Sequence, residues 1–301
     1  MRSAGPFVAL VTLGALWGFT IPMTRIAVST GHPPLGLIFW QLVIMLPVLG
    51  LVTRLRGRRP DFNLRHWGLF LVVALSGTVL PSTFSYRAAA ELPAGVMAII
   101  IAIVPMFALP VAILMRLERP QLVRFAGVLA GAAAVAMIVG PETSLPAGTP
   151  VIFVFVALVA PACYGIEGNY ISWRGISGLD PVEVIFGASV MGLVLVAPIC
   201  VATGTFINPF LAWGAPEQAL VISAISNSLA YSGYVWLIGR AGSVYAAQVA
   251  YLVTAFGVLW SMLLLGERYS PWIWAAFVLM MLGIALVRPR QGRRTGTPRF
   301  D

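Results

Sequence analysis

Ten apolar segments follow one another with only short polar turns between them, each near the roughly 20 residues that carry an α-helix across a bilayer. They lie near residues 6–28, 34–53, 66–87, 93–115, 121–140, 150–172, 181–203, 217–238, 243–265 and 271–288. Gly31-His32-Pro33-Pro34, Pro60-Asp61 and the stretch from Pro141 to Gly148 supply turns between them. Only 10% of the 301 residues are charged, against about 25% in a soluble domain, and mean hydropathy is +0.93. A soluble enzyme, a disordered chain and a disulfide-stapled secreted domain are excluded on these grounds. An outer-membrane barrel is excluded too, because alternating lipid- and lumen-facing residues would dilute the apolar runs. The fold class expected is all-α integral membrane with ten transmembrane helices. The first segment does not read as a cleavable signal, since it is too long for one and carries Arg25 near its end.

Charge placement tests the count of ten. All 19 basic residues are arginine. Ten crossings put both termini on one side, and 16 of the 19 arginines fall there; only Arg25, Arg87 and Arg268 fall opposite. A missed or extra crossing would scatter them. Positive residues concentrate on the cytoplasmic side, so both termini are expected in the cytoplasm and the chain in the inner (plasma) membrane. The net charge of +9 is read as membrane orientation, and no nucleic-acid partner is expected, because the arginines flank apolar spans instead of forming a basic–aromatic surface. Cys163 and Cys200 lie far apart inside apolar runs and suit no metal spacing or disulfide.

The chain also repeats itself. A shift of 147 residues lays Ala15 on Ala162, Gly18 on Gly165, Gly31 on Gly178, Pro34 on Pro181 and Phe39 on Phe186, with Trp17 meeting Tyr164. Later the offset drifts, and Leu-Glu-Arg-Pro at 117–120 matches Gly-Glu-Arg-Tyr-Ser-Pro at 266–271. The division expected is a first five-helix repeat over 1–144 and a second over 145–301, the latter ending in a short cytoplasmic tail. Five is odd, so the second repeat enters the membrane from the opposite side. Two inverted five-helix repeats can hold a midplane site facing either side through two near-equivalent packings.

Five plus five inverted spans, the Gly-Ala-Leu-Trp-Gly opening at 14–18, the Leu-Pro-Ala-Gly start of the fourth span at 92–95 and the Glu-Arg-Tyr-Ser-Pro turn at 267–271 together resemble the drug/metabolite transporter superfamily. Within it the chain resembles the EamA-type members, and the YddG-type exporters of aromatic amino acids are the subgroup named first. The resemblance covers about 6–288. It implies a ten-helix exporter or exchanger of small metabolites, amino acids including aromatic ones among them, with a central cavity and alternating access.

Polar residues inside spans are the candidates for a substrate path, because lipid-facing surfaces cannot carry them. In the first span Trp17, Thr20 and Thr24 share a helical face; in the sixth the repeat equivalents are Tyr164, Glu167 and Ile171. In the eighth, Asn227, Tyr231 and Tyr234 share a face, and their equivalents in the third are Thr78, Ser82 and Ser85, with Tyr86 beside them. Gln248 and Tyr251 add a stripe in the ninth, where the fourth span has Ile99 and Ala102. The substrate-binding set expected is Trp17, Thr20, Tyr86, Tyr164, Glu167, Asn227, Tyr231, Tyr234, Gln248 and Tyr251. The opposing structural account is that hydroxyls bond their own backbone and small residues only let helices pack. Trp67, Trp213, Trp272 and Trp274, near span ends, read as interface anchors.

Glu167 is the one carboxylate well inside a span. An isolated charge in hydrocarbon is very costly, so it is neutral, paired or facing water. It is either a proton-coupling or amine-binding group, or a carboxyl tied to a neighbouring Asn, Tyr or Arg. Small multidrug exporters, related to the family this chain resembles, keep a working Glu in their first helix; Thr20 stands at that place in the first repeat and Glu167 in the second.

No Walker-type phosphate loop, metal set or nucleophile elbow occurs, so neither an enzyme nor a cofactor is expected. The partners expected are a small-molecule substrate and the lipid bilayer, with the chain a monomer. An intramembrane lipid-acting enzyme would need a clustered catalytic pair, and a scaffold or sensor a larger loop or tail.

The orientation is testable by impermeant maleimide applied from outside to single cysteines. A cysteine in loop 54–65 should be protected and one in 141–149 modified; the reverse pattern overturns it.

Overall fold

The computed structural model describes residues 4–208 and 213–287, and among these it is helical with no strand. Ten crossing helices appear: α1 (Ala4–Ala27), α2 (Pro34–Leu55), α3 (Leu64–Glu91), α4 (Ala94–Leu114), α5 (Leu122–Val139), α6 (Ile152–Arg174), α7 (Pro181–Ala202), α8 (Ala215–Ala241), α9 (Val249–Leu265) and α10 (Pro271–Val287). Eight are long and apolar enough to span alone; α9 and α10 are 17 residues each, and a helical turn at Ser243–Ala246 leads into α9. The expected spans match these bounds to within a few residues. Arg2 and the arginines from Arg288 onward lie outside the described residues. Below, the near face is the one on which α1 begins, and the far face is the other.

Local chemistry explains the helix starts. Pro34, Pro181 and Pro271 each open a helix where a missing N–H costs nothing. At α7 the Asp180 side chain accepts the Val182 N–H at 2.9 Å, and Glu183 returns to the Asp180 N–H at 2.6 Å. Three interruptions were not foreseen. A π-helical turn, Leu75–Val79, lies inside α3; α4 breaks at 102–103; and α9 is parted from its leading turn at 247–248.

The two halves hold each other more than themselves. α1 packs on α8 and α9, and its repeat equivalent α6 packs on α3 and α4. The exchange continues with α2 on α8 and α7 on α3, and closes with the self-paired contacts α2–α7 and α5–α10. Small residues permit the closest of these approaches. A Cβ on Gly18 would lie 2.8 Å from the Gly257 nitrogen, and one on Gly165 would lie 2.9 Å from the Ala108 nitrogen. Trp260 Nε1 donates to the Ala15 carbonyl at 3.0 Å beside the first crossing. Gly18 and Gly165, matched across the repeat, are therefore helix-crossing points.

One continuous apolar cluster joins Ala27, Leu37, Leu92, Val96, Ala157, Val196 and Val258 and runs along α4 and α10 to Leu109 and Val287, toward the near face. Toward the near face three clusters stand apart: Leu10, Leu13 and Leu237; Leu69, Phe70 and Val184; and Met45, Leu49 and Ala224. Outward-facing Leu122, Leu129, Val194 and Leu263 are exposed, an apolar rim suited to lipid. Trp67, Trp213, Trp272 and Trp274 are half exposed at helix ends.

Gly18→Ala and Gly165→Ala should each destabilise the protein by about 1–3 kcal/mol, because the new methyl meets backbone. Gly168→Ala, which meets nothing within 4 Å, should not. Thermal unfolding in detergent checks this, and equal melting of all three variants would remove the crossing role.

Candidate substrate-binding site

Mid-membrane, α1 and α8 bring four of the expected residues together. Trp17 Nε1 donates to Asn227 Oδ1 at 2.8 Å. The Trp17 ring meets Tyr234 edge-on at 5.9 Å between centroids and Tyr231 at 6.4 Å, nearly perpendicular. Edge contacts of this kind hold aromatic rings in fixed orientation. Tyr231 in turn lies within electrostatic reach of Glu167, and Glu167 of Tyr164.

Glu167 sits where α6 crosses the π turn of α3. Its carboxylate occupies the space a side chain at Gly77 would fill, so the turn and the glycine together make its seat. Among the described residues it accepts no hydrogen bond and forms no ion pair. Asn169, one turn away, is not its partner; its amide donates to the carbonyls of Ala108 at 2.9 Å and Gly165 at 2.8 Å. The tied-carboxyl account of Glu167 is thus not what the structure shows. Glu167 is half-buried, with the rings of Tyr164 and Tyr231 within electrostatic reach.

The polar file continues toward the far face. Tyr164 lies within electrostatic reach of Tyr86, whose hydroxyl donates to Gln41 Oε1 at 2.5 Å. Gln41 was missed in the sequence; the signal was an in-span amide in α2, whose repeat equivalent is Ala188. The other expected residues are placed differently. Thr20 Oγ1 donates to the Trp17 carbonyl at 2.7 Å, the self-bonding of the structural account. Gln248 lies at the break leading into α9. Tyr251 packs with the main apolar cluster, whereas its neighbours Leu252 and Val253 pack with the Trp17 cluster.

Beyond the file, hydrogen bonds tie helix ends together at the far face. Arg25 Nη1 donates to the Ala89 carbonyl at 2.5 Å, joining α1 to the end of α3; among the described residues it forms no ion pair with Glu91. His32 Nε2 meets Glu217 Oε1 at 2.7 Å between the α1–α2 turn and the start of α8. Glu267 accepts the Ala94 N–H at 2.7 Å and the Gly95 N–H at 3.1 Å, the first free donors of α4. Tyr269 donates to the same carboxylate at 2.5 Å and sits where a Cβ on residue 95 would be. Burial, with Glu267 beside it, pushes the Tyr269 phenol far above its usual value and keeps it a donor. The Leu-Pro-Ala-Gly and Glu-Arg-Tyr-Ser-Pro motifs are thus two sides of one contact. No cluster of His, Cys, Asp and Glu among the described residues could hold a metal ion.

Ten crossing helices, paired across two inverted halves around a polar mid-membrane file, define a membrane transporter of the inverted-repeat kind. The chain belongs to the EamA-like transporter family, which matches residues 5–140 and 151–288, one copy in each half. It is 26% identical over 296 residues to the uncharacterized inner membrane transporter YedA of Escherichia coli K12, covering 93% of this chain and 90% of YedA, and equally to YedA of the O157:H7 strain. One solved crystal structure, 16% identical, superposes with a TM-score of 0.63 over 94% of this chain and 96% of the other, a likeness of fold.

Gly77→Ala should displace the Glu167 carboxylate and lower transport several-fold with little change in melting temperature. Unaltered transport would show that the π-turn seat has no part in function.

Proposed function

We propose that the protein moves small organic metabolites across the membrane by alternating access, binding them along the file from Tyr231 and Glu167 to Tyr86. Trp17, Tyr164, Tyr231 and Tyr234 suit an apolar or aromatic body, at about 0.5–1.5 kcal/mol per aromatic contact. That favours the weak binding an exporter needs in order to release its cargo. Asn227 and Gln41 read polar groups, and Glu167 holds an ammonium group or carries the exchanged proton. Amino acids, aromatic ones included, fit these walls. Both termini are taken as cytoplasmic and the chain as a monomer, since ten helices from one chain surround the file.

The observation that carries this reading is the unpaired Glu167 seated on Gly77 among aromatic rings. The same observation favours a second reading of the cargo. Among the described residues no basic side chain accompanies Glu167 in the middle of the file; Arg25 and Arg87 stand at the far ends of α1 and α3. A free amino acid would leave its carboxylate without a charge partner, so amines lacking one are the sharper fit.

Proteoliposome uptake of tyrosine and phenylalanine, set against tyramine and phenethylamine, with and without a pH gradient, separates the two. Glu167→Gln should reduce amine flux at least ten-fold and abolish its response to the gradient. Trp17→Ala and Asn227→Ala should reduce flux several-fold while leaving melting temperature nearly unchanged; Val194→Ala, on the lipid rim, should change neither. Wild-type flux in Trp17→Ala, Asn227→Ala and Glu167→Gln alike would place the pathway elsewhere.

A further inference from the structure

Glu118 and Glu267 occupy the same place in the two repeats, each followed by Arg and, two or four residues on, by Pro. The structure gives them opposite employment. Glu267 is spent on the first two N–H groups of α4, closing the α9–α10 turn over the far face. Glu118 turns away from the equivalent place. Its carboxylate is paired with Arg124, whose Nε donates to the Val287 carbonyl at 2.9 Å. The helix start equivalent to Ala94 and Gly95 is at Ser243 and Val244, which open the turn leading into α9 on the near face.

We propose that Glu118 and Glu267 are alternating latches, each capping the broken helix of the opposite repeat in one state and releasing it in the other. This rests on the alternating-access reading. In the arrangement described, Glu267 holds α4 and the far side is shut. In the opposite arrangement Glu118 leaves Arg124 for the N–H groups at 243 and 244, and Glu267 lets go of Ala94 and Gly95. A carboxylate suits the task because a helix start presents free donors and a positive dipole end. The repeats also differ in a way that sets the resting balance. Tyr269 braces Glu267, whereas the shorter turn after Glu118 has no tyrosine and Arg124 holds the carboxylate off. The far-closed state is therefore the preferred one, and the two glutamates, equivalent in sequence, push in opposite directions.

Distances between spin labels test this in the full chain, with Cys163 and Cys200 replaced by alanine. Labels at Glu91 and Arg268 report the far face, and labels at Arg119 and Arg240 the near face; all four positions are exposed. Glu267→Gln should lengthen the far pair and shorten the near pair, changing the ratio of the two populations about ten-fold, as loss of charge-assisted hydrogen bonds predicts. Adding Glu118→Gln should undo the near-side shortening, and Glu267→Asp should restore part of the wild-type distribution. Glu142→Gln, in the α5–α6 turn, serves as the charge-loss control and should leave both distances as they are. If Glu267→Gln moves neither distance, the latch is wrong. If it opens the far side but the double variant keeps the near side closed, Glu118 is not its counterpart and the proposal fails. Should the distances respond as expected while wild-type vesicles carry no substrate, the latch stands and the transport reading falls.

Discussion

Inside a bilayer a main-chain N–H or carbonyl left out of a helix has no water to turn to, and every irregularity must be satisfied by the protein itself. That constraint governs this molecule at its helix starts and at its interruptions. The start of α4 is met by a carboxylate delivered from the α9–α10 turn, 173 residues further along the chain. The break in α4 lies just ahead of Pro105, which cannot donate to the carbonyl four residues back. The π turn of α3 loosens the helix where Gly77 makes room for Glu167. The start of α4 and the π turn of α3 thus each meet a carboxylate, whereas the break in α4 lies in the apolar core.

The π turn does a second thing. The half of α3 before it packs on α7, and the half after it packs on α6. One helix therefore belongs to two neighbourhoods, with the change of partner at the level of Glu167. A rigid helix would have to choose. The seat of Glu167 and the point at which α3 changes partner coincide.

Much of this was legible in the residues. Apolar length and turn-formers fixed the ten spans closely, because lipid admits no other way to bury such runs. The Trp17, Asn227, Tyr231 and Tyr234 face was legible too, since helical spacing alone puts these side chains on facing stripes. The division of roles among polar residues was not. Thr20 reads like Asn227 in the sequence, yet it spends its hydroxyl on its own helix. Tyr251 shares a face with Gln248, but the orientation of α9 turns it to the main apolar cluster. The π turn carries no sequence signature beyond Gly77, and Gln41 stood alone in an apolar span, so neither could be placed before the helices were assembled. The Glu-Arg-Tyr-Ser-Pro motif could be aligned but not explained, because its partner lies in the other repeat.

The pairing of helices across the halves also has a cost in time. The carbonyl of Ala15 meets its partner Trp260 only after 245 further residues. At about 5–20 residues per second, α1 stands in the membrane for roughly 10–50 seconds before α9 exists to cover its glycine face. During that interval the first five helices have been made and oriented but lack most of the neighbours they keep in the finished protein. What emerges first from the ribosome is an unfinished surface that must be shielded by lipid or by the insertion machinery, and folding in earnest waits for the second half to arrive.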